Sequence, residues 1–192
     1  IGRWVVEQAC RQLKVWHDAG CPRVPVAVNL SAIEFRQIDL VASIEQALRK
    51  TGLEPQYLEL ELTESALLEQ GDAIRDRLCT LKAIGVRLAI DDFGTGYSSL
   101  AYLKRYPIDR LKIDRSFVQD TPGDQDDVAI VTAIVQMAQS LKLATVAEGV
   151  ETMEQLALLR RLGCSDCQGY LFARPLAPRE METYMRGVGA VG

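Results

Sequence analysis

The sequence lacks the features on which several enzyme classes depend. It contains one histidine, His17, so a histidine-dependent catalytic triad is not expected. It has no Walker-type phosphate loop, no Gly-x-Gly-x-x-Gly run and no Gly-x-Ser-x-Gly elbow. It also has no apolar run of the roughly 18 to 20 residues that a membrane-spanning helix needs, so we expect no membrane insertion by this segment.

The five cysteines lack the density and regular spacing of a disulfide scaffold. An odd set of this kind is typical of a reducing compartment, so we expect a cytoplasmic location, which includes the cytosolic part of a membrane-anchored parent. The Cys164-x-x-Cys167 spacing also occurs in zinc and redox motifs, but no second pair accompanies it. We interpret Cys164 and Cys167 as two free thiols near a strand.

The charge balance is slightly acidic, with a formal net charge of -4 and a pI near 5.2. This charge gives no general attraction to nucleic-acid backbones, so neither DNA nor RNA is an expected partner. A polyanionic ligand would have to be held by a local device such as a metal ion. The 192 residues, 48% hydrophobic and 25% charged, have the size and apolar content of one globular domain.

Short β-rich runs alternate with amphipathic stretches along most of the chain. The first residue is Ile1, and the opening segment is already helical in pattern, so we interpret the chain as a fragment of a longer one. The predicted strands are 24–30, 57–62, 86–90, 111–114, 144–148 and 168–172. The predicted helices that follow the opening one are 38–50, 70–83, 98–105, 126–141, 152–162 and 178–186.

This alternation predicts an α/β fold with a parallel sheet and helices outside, a pattern that a doubly wound sheet and a barrel share. Acids or amides lie in or end nearly every predicted strand, instead of clustering at one switch point, which favours a TIM-like (β/α) barrel. These polar residues are Asn29, Glu59, Glu61, Asp91, Asp92, Lys112, Asp114, Glu148 and Gln168. Only six strand units are visible, so we expect an incomplete barrel that lacks about the first two strands.

Three groups of these residues suggest chemistry. Glu59 and Glu61 alternate with leucines, which would turn them toward a barrel lumen; the alternative is an edge strand with a solvated acidic face. Asp91-Asp92 ends an apolar strand and could serve two hard cations such as Mg²⁺ or Mn²⁺. Lys112 would orient a water or balance phosphate charge, or else form a structural ion pair.

Six short motifs occur in a fixed order. They are Asn29-Leu-Ser31, Glu61-Leu-Thr-Glu64, Asp91-Asp-Phe-Gly-Thr-Gly-Tyr-Ser-Ser99, Leu111-Lys-Ile-Asp-Arg-Ser-Phe117, Ala147-Glu-Gly-Val-Glu151 and Gln168-Gly-Tyr-Leu-Phe172. This set resembles the EAL-domain phosphodiesterases of cyclic di-GMP, and it runs through almost the whole chain. Each motif alone is weak, but six in order are highly specific. The resemblance implies that residues 1–192 are a single EAL-type domain from which the EAL strand itself is absent.

The resemblance also implies roles for individual residues. The implied metal ligands are Asn29, Glu61, Asp91 and Asp92, with Asp91 bridging two divalent ions. The implied catalytic residues are Lys112, which holds the nucleophilic water; Glu148, for the second metal or general-base work; and Gln168, near the phosphate. Glu64 would anchor the loop 92–99, a loop linked to dimer contacts in this family, while Asp114 and Glu151 would have supporting roles.

The implied reaction is hydrolysis of cyclic di-GMP to linear pGpG with two Mg²⁺ or Mn²⁺ ions. The implied partners are a second copy of the chain in a homodimer and the other domains of the parent. Because a ligand strand is absent, we expect the 192-residue chain alone to be weakly active or inactive and the parent to be active. Two alternatives stay open: a non-catalytic cyclic di-GMP receptor and a structural dimerisation module.

Overall fold

A six-stranded parallel sheet forms the centre of the protein. The computed structural model describes residues 2–67, 72–95 and 100–188. Within these ranges the sheet order is the chain order, β1 Val26–Leu30, β2 Leu58–Thr63, β3 Arg87–Phe93, β4 Arg110–Ile113, β5 Ala144–Ala147 and β6 Asp166–Cys167. A doubly wound sheet reverses its strand order at a switch point, whereas a barrel adds each strand beside the last. The order therefore favours barrel winding. The sheet is open, because β1 and β6 each have one neighbour among the described strands.

Helices follow the strands as the alternation predicts. The longer helices are α1 Gly2–Asp18, α3 Leu40–Thr51, α5 Asp72–Ile84, α6 Leu100–Arg105, α8 Gln125–Ser140, α9 Met153–Leu162 and α10 Pro178–Val188. Three one-turn helices that the sequence did not predict are α2 Ala32–Phe35, α4 Glu64–Leu67 and α7 Arg115–Val118. None of the described helices combines the length and the apolar composition required to cross a bilayer. Parts of three predictions lie outside the described residues: 70–71 and 98–99 of two predicted helices, and 96–99 of the loop 92–99.

Strand β2 is buried on both faces. It pairs with β1 on one side and β3 on the other, so it is a central strand. Its leucines are fully buried in the hydrophobic core beneath the helices, while Glu59 and Glu61 are only 4% and 5% exposed on the opposite face. The alternative of a solvated acidic edge strand is therefore wrong. A carboxylate buried to this extent must be paired or coordinated, since burial of a lone charge costs several kcal/mol, about as much as a domain's whole margin of stability.

The predicted strand 168–172 is wrong. The sixth strand is Asp166–Cys167, and the segment after it turns around Val150 instead of extending. The Val150 amide donates to the Gln168 carbonyl at 3.0 Å, and the Leu171 amide donates to the Val150 carbonyl at 3.0 Å. These bonds wrap the segment around one residue, which a continuing strand cannot do.

Gly169 makes this turn possible, and its replacement by alanine is expected to destabilise the domain. A Cβ at Gly169 would lie 2.2 Å from the Val150 carbonyl oxygen and 2.3 Å from its nitrogen, both rigid backbone atoms. We expect Gly169→Ala to lower the free energy of unfolding by about 1–3 kcal/mol, as overpacking does elsewhere. Chemical denaturation measures this change. Gly187→Ala is the control, because nothing lies within 4 Å of its Cβ position. Equal stability of the two variants would contradict the packing argument.

Candidate active site

Lys112 lies at the centre of an acidic cluster. Its ammonium nitrogen is 2.7 Å from Glu61 Oε2, 2.8 Å from Asp91 Oδ1 and 2.7 Å from Glu148 Oε1. The Lys112 side chain is only 7% exposed, so these ion pairs are largely screened from water. We call Lys112, Glu61, Asp91 and Glu148 the Lys112 cluster.

The parallel sheet explains why residues so far apart in sequence meet. Glu61, Asp91 and Lys112 lie on three adjacent strands, β2, β3 and β4, and Glu148 follows the last residue of β5. The register sets Asn29 beside Glu61 and Thr63 beside Asp91. Since the carboxyl ends of parallel strands share one edge of the sheet, their polar side chains converge there. The structure thus brings Asn29, Glu61, Asp91, Lys112 and Glu148 together.

The electrostatics of the Lys112 cluster are dominated by burial and crowded negative charge. Burial acts to lower the pKa of Lys112, but the contacts with Asp91, Glu148 and Glu61 outweigh it, so its pKa is raised and the ammonium stays charged. Burial raises the pKa of Glu61, and the charges of Asp91 and Glu148 add to this effect although Lys112 opposes it. One ammonium therefore faces more negative charge than it can neutralise. Further cations would stabilise this arrangement.

The donor atoms fit divalent cations. One carboxylate oxygen each from Asp91, Asp92 and Glu148 lies within 4.8 Å of the others. Asp91 Oδ1 is buried and receives no well-directed hydrogen bond, although it is paired in charge with Lys112. Hard oxygen ligands of this kind suit Mg²⁺, Mn²⁺ and Ca²⁺. Among the residues that the structure describes, this is the acidic group with the spacing of a metal site.

The Asn29 amide faces the same carboxylates. With its nitrogen directed inward, it donates to Glu61 Oε2 at 3.2 Å and to Asp91 Oδ2 at 3.0 Å. With its oxygen directed inward, it opposes two carboxylates, which is favourable only if a cation lies between them. Asn29 can therefore serve the site in two ways. It donates hydrogen bonds to the carboxylates in the absence of a cation and can offer an oxygen ligand in its presence.

Asp92 is held in an uncommon backbone conformation beside Asp114. Its φ of 53° lies in the left-handed region, which costs energy for a residue with a side chain. Burial raises the pKa of Asp92, and the carboxylates of Asp91 and Asp114 add to this effect. Asp114 caps helix α7 by accepting from the Ser116 amide at 2.8 Å; burial opposes this, but the bonds from Ser116 leave the pKa of Asp114 lowered. Asp114 thus stays ionised, and its negative charge contributes to the raised pKa of Asp92.

Glu64 lies behind the site and contacts the start of the loop 92–99. It is 3% exposed, and its Oε2 accepts a long hydrogen bond of 3.4 Å from the Gly94 amide. Its other carboxylate oxygen, Oε1, is buried without a hydrogen-bond partner among the described residues. The contact with Gly94 is the described part of the predicted loop anchor.

Gln168 and Glu151 lie at the rim. Gln168 lines a cavity of about 250 Å³ with Glu61 and Lys112, and a second cavity of about 200 Å³ with Glu148 and Glu151. Gln168 therefore borders the Lys112 cluster from the β6 side. Glu151 pairs with Arg115 at 3.1 Å.

Two arginines of this region were not predicted from the sequence as site residues. Arg115 borders the same cavity as Glu148 and Gln168, although only its pairing partner Glu151 was singled out. Arg110 reaches Asp166 at 2.8 Å and Glu59 at 3.7 Å on the inner face of the sheet. The available signal for Arg110 was its spacing, because it lies two residues before Lys112 and so shares its face.

Glu59 is expected to make stability fall as the pH rises. Burial raises its pKa above the ordinary value, although the charges of Arg110 and Arg87 oppose this effect. The folded protein therefore holds this proton to a higher pH than the unfolded chain does, and stability is lost as pH rises above the unfolded value near 4.5. In Glu59→Gln, this loss is absent. The melting temperature of the variant minus that of the wild type should thus increase from pH 4 to pH 7.

Thermal unfolding of Glu59→Gln and wild type across that pH range tests this prediction. Glu154→Gln, an exposed glutamate on α9, is the matched control and should give a difference that stays nearly constant with pH. A difference for Glu59→Gln that shrinks from pH 4 to pH 7 would show that the folded protein stabilises the ionised carboxylate.

Comparison with known proteins identifies the family of this chain. Residues 1–175 match the EAL domain family. The chain belongs to this family. This EAL domain is 50% identical over 181 residues to the bifunctional diguanylate cyclase/cyclic di-GMP phosphodiesterase MucR of Pseudomonas aeruginosa, covering 94% of this chain and 26% of that protein. It is 51% identical over 183 residues to the cyclic di-GMP phosphodiesterase NbdA of the same organism, covering 95% of this chain and 23% of that protein. The chain thus spans about a quarter of the length of these relatives.

Solved structures give the same fold. The EAL domain superposes on a complex of the MucR phosphodiesterase with c-di-GMP with a TM-score of 0.90 at 50% identity, covering 94% of this chain and 73% of that chain. A manganese and cyclic di-GMP complex of Klebsiella pneumoniae BlrP1 gives a TM-score of 0.80 at 33% identity, covering 92% of this chain and 45% of that one. The open sheet is accordingly an incomplete TIM-like barrel. EAL domains are metal-dependent, which agrees with the acidic cluster.

Proposed function

We propose that this EAL domain hydrolyses one phosphodiester bond of cyclic di-GMP and releases linear pGpG in bacterial second-messenger signalling. The observation that carries the proposal is the convergence of Glu61, Asp91 and Glu148 from three strand ends on Lys112. The 50% identity to MucR, named a cyclic di-GMP phosphodiesterase, supports this choice of substrate.

We propose that Asn29, Glu61, Asp91 and Asp92 hold two divalent cations, Mg²⁺ or Mn²⁺. When bound, these cations neutralise negative charge on the phosphate and favour ionisation of the attacking water. The protein supplies rigidity, because the ligands come from strands β1, β2 and β3 and their spacing is fixed by the sheet register. Without cations, the hydrogen bonds from Asn29 and Lys112 keep the carboxylates in place.

We propose that Lys112, Glu148 and Gln168 act on the reacting groups. The Lys112 ammonium can donate a hydrogen bond to the water that attacks phosphorus and so hold it in place. The Glu148 carboxylate beside it can accept that water's proton or serve the second cation. Gln168 borders both from the rim, where its amide can donate to a phosphate oxygen. The 3′ oxygen leaves as the new P–O bond forms. Glu64 anchors the loop 92–99 through Gly94, while Asp114 and Glu151 orient Asp92 and Arg115.

An assay of nucleotide products tests the proposed function. The purified chain and a longer natural polypeptide that contains it are incubated with cyclic di-GMP and Mg²⁺ or Mn²⁺, and pGpG is quantified by chromatography. The expected product is pGpG from the longer polypeptide, abolished by chelator and by Glu148→Ala, and retained by the surface control Glu154→Gln. Binding of cyclic di-GMP with no product would replace hydrolysis by a receptor function. Failure to bind would favour a structural module.

The cellular location, the oligomeric state and the linked domains of this EAL domain are proposed as well. We propose that it acts in the cytoplasm, where its substrate class occurs, and that it works as a homodimer joined to other domains of its parent chain. The similarity to MucR and NbdA, of which this chain covers only 26% and 23%, supports the link to further domains. Sedimentation of the longer polypeptide measures the dimer.

A further inference from the structure

Two cysteines border the segment that carries Gln168. Helix α9 ends at Leu162, Gly163 closes it in a left-handed conformation, and Cys164 follows directly. Cys167 is the last residue of β6 and pairs with Ala147 of β5. Both thiols are free and half-buried, so a small reagent can reach them.

The Cys164 thiol is directed along the chain toward Cys167. The Cys164 side chain folds over the residues that follow it, with its sulfur 3.2 Å from the Asp166 carbonyl oxygen. Asp166 directly precedes Cys167, so the Cys164 sulfur lies beside the backbone that leads to the second thiol. Interaction with Cys167, together with Thr145, lowers the pKa of Cys164 although burial opposes it, while interaction with Cys164 and burial raise the pKa of Cys167. Cys164 is thus the more readily ionised and more nucleophilic of the two.

Hydrogen bonds tie Cys167 to the active site. The next residue is Gln168. Its backbone N–H donates to the Ala147 carbonyl at 2.8 Å, and its backbone carbonyl accepts from the Val150 N–H at 3.0 Å. Ala147 lies one residue before Glu148 and Val150 two residues after it, so a movement of Cys167 is transmitted to both Gln168 and Glu148. Gly169 packs directly against the Val150 backbone, so the segment after Cys167 is in contact with the residues that follow Glu148.

We infer that Cys164 and Cys167 form a thiol–disulfide exchange site, whose ligands are low-molecular-weight disulfides and whose oxidation displaces the segment that carries Gln168. The effect on catalysis rests on the proposed function; the exchange chemistry does not. The site differs from the other thiols, because Cys10 and Cys21 are buried and Cys79 lies exposed on α5.

The exchange is balanced in atoms and electrons. The Cys164 thiolate attacks one sulfur of a reagent disulfide, which forms a mixed disulfide and expels one reagent thiolate. Cys167 then loses its proton and attacks the Cys164 sulfur, which closes the protein disulfide and expels the second reagent thiolate. The protein loses two electrons and two protons, and the reagent disulfide becomes two thiols. Excess thiol reverses the reaction.

Peptide mapping tests the exchange site directly. The protein is equilibrated with reduced and oxidised glutathione in the presence of a chelator, which prevents metal binding by the thiols, and then alkylated and digested with trypsin. Trypsin does not cleave the Arg174–Pro175 bond, so cleavage after Arg161 and Arg179 leaves both cysteines on one peptide, 162–179. The expected oxidised product is this peptide lighter by two hydrogen atoms and closed to alkylation. Cys164→Ser and Cys167→Ser should abolish it, and Cys79→Ser should not.

Hydrogen–deuterium exchange tests the displacement without needing activity. Oxidation should speed exchange of the Gln168 and Leu171 amides, and reduction should restore it. Hydrolysis by an active preparation should fall roughly tenfold on oxidation, because small misplacements of catalytic groups are costly. Mixed disulfides alone, or unchanged exchange in the closed form, would overturn the inference and leave the proposed function intact. An inactive reduced protein that still closes the disulfide would overturn the proposed function only.

Discussion

Lys112→Met is expected to slow hydrolysis by about 10²–10³-fold and to make the stability of the domain depend on divalent cations. Methionine preserves the aliphatic stem but removes the ammonium that pairs with Glu61, Asp91 and Glu148. Loss of one partner from a buried ion pair costs about 3–5 kcal/mol, since the remaining charges stay buried. Loss of a donor that acts in the transition state lowers the rate by about 10²–10³-fold.

Thermal unfolding with and without Mg²⁺ measures the change in stability, and the pGpG assay on the longer polypeptide measures the change in rate. Divalent cations should raise the melting temperature of Lys112→Met more than that of the wild type, because they replace the missing positive charge. Lys104→Met, at an exposed position on α6, is the control and should change neither quantity. A Lys112→Met variant that is as stable and as active as wild type would show that Lys112 neither stabilises the buried carboxylates nor takes part in hydrolysis.

Asp91→Asn is expected to weaken divalent-cation binding by at least about a hundredfold, more than the loss of an outer partner does elsewhere. Asp91 offers a carboxylate oxygen to the group with Asp92 and Glu148, and an amide would replace that anion with a neutral ligand of the same shape. Hydrolysis should be lost together with metal binding. Because asparagine is close in volume, the fold should persist.

Calorimetric titration with Mn²⁺ measures the affinity, and circular dichroism checks the fold. Asp76→Asn, at an exposed position on α5, is the matched control and should bind Mn²⁺ as the wild type does. If Asp91→Asn keeps the wild-type affinity, the cations lie elsewhere and the proposed ligand set is wrong.

Much of the fold follows from the alternation of apolar strands and amphipathic helices. Five of the predicted strands overlap observed strands, because each is a short β-rich run with a continuous or alternating apolar pattern. The sixth prediction failed for a physical reason. Residues 168–172 have strand-like composition, but hydrogen bonds to Val150 bend them into a turn. The turn is possible because residue 169 is a glycine, whose missing Cβ leaves room for the Val150 backbone. Such a contact depends on a partner far away in sequence and leaves no local pattern.

The site was predictable to the extent that it depends on strand ends. Asn29, Glu61, Asp91 and Lys112 lie on strands whose register places them at one edge, so their position in each strand was enough to group them. The central place of Lys112 was not predictable, because a strand pattern gives the face of a lysine and not its partners. The pair of Arg115 and Glu151 was hidden for the same reason, since the two residues are joined by the fold alone.

Side chains from separate strands are proposed to hold paired divalent cations in one place. Anomalous diffraction from crystals grown with Mn²⁺ and cyclic di-GMP locates these cations. We expect two manganese peaks, with Asp91 contacting both and Asn29, Glu61 and Asp92 completing the protein ligands, beside the ammonium of Lys112. Manganese bound at any other group of residues, with Asp91 still paired to Lys112 alone, would contradict this proposal.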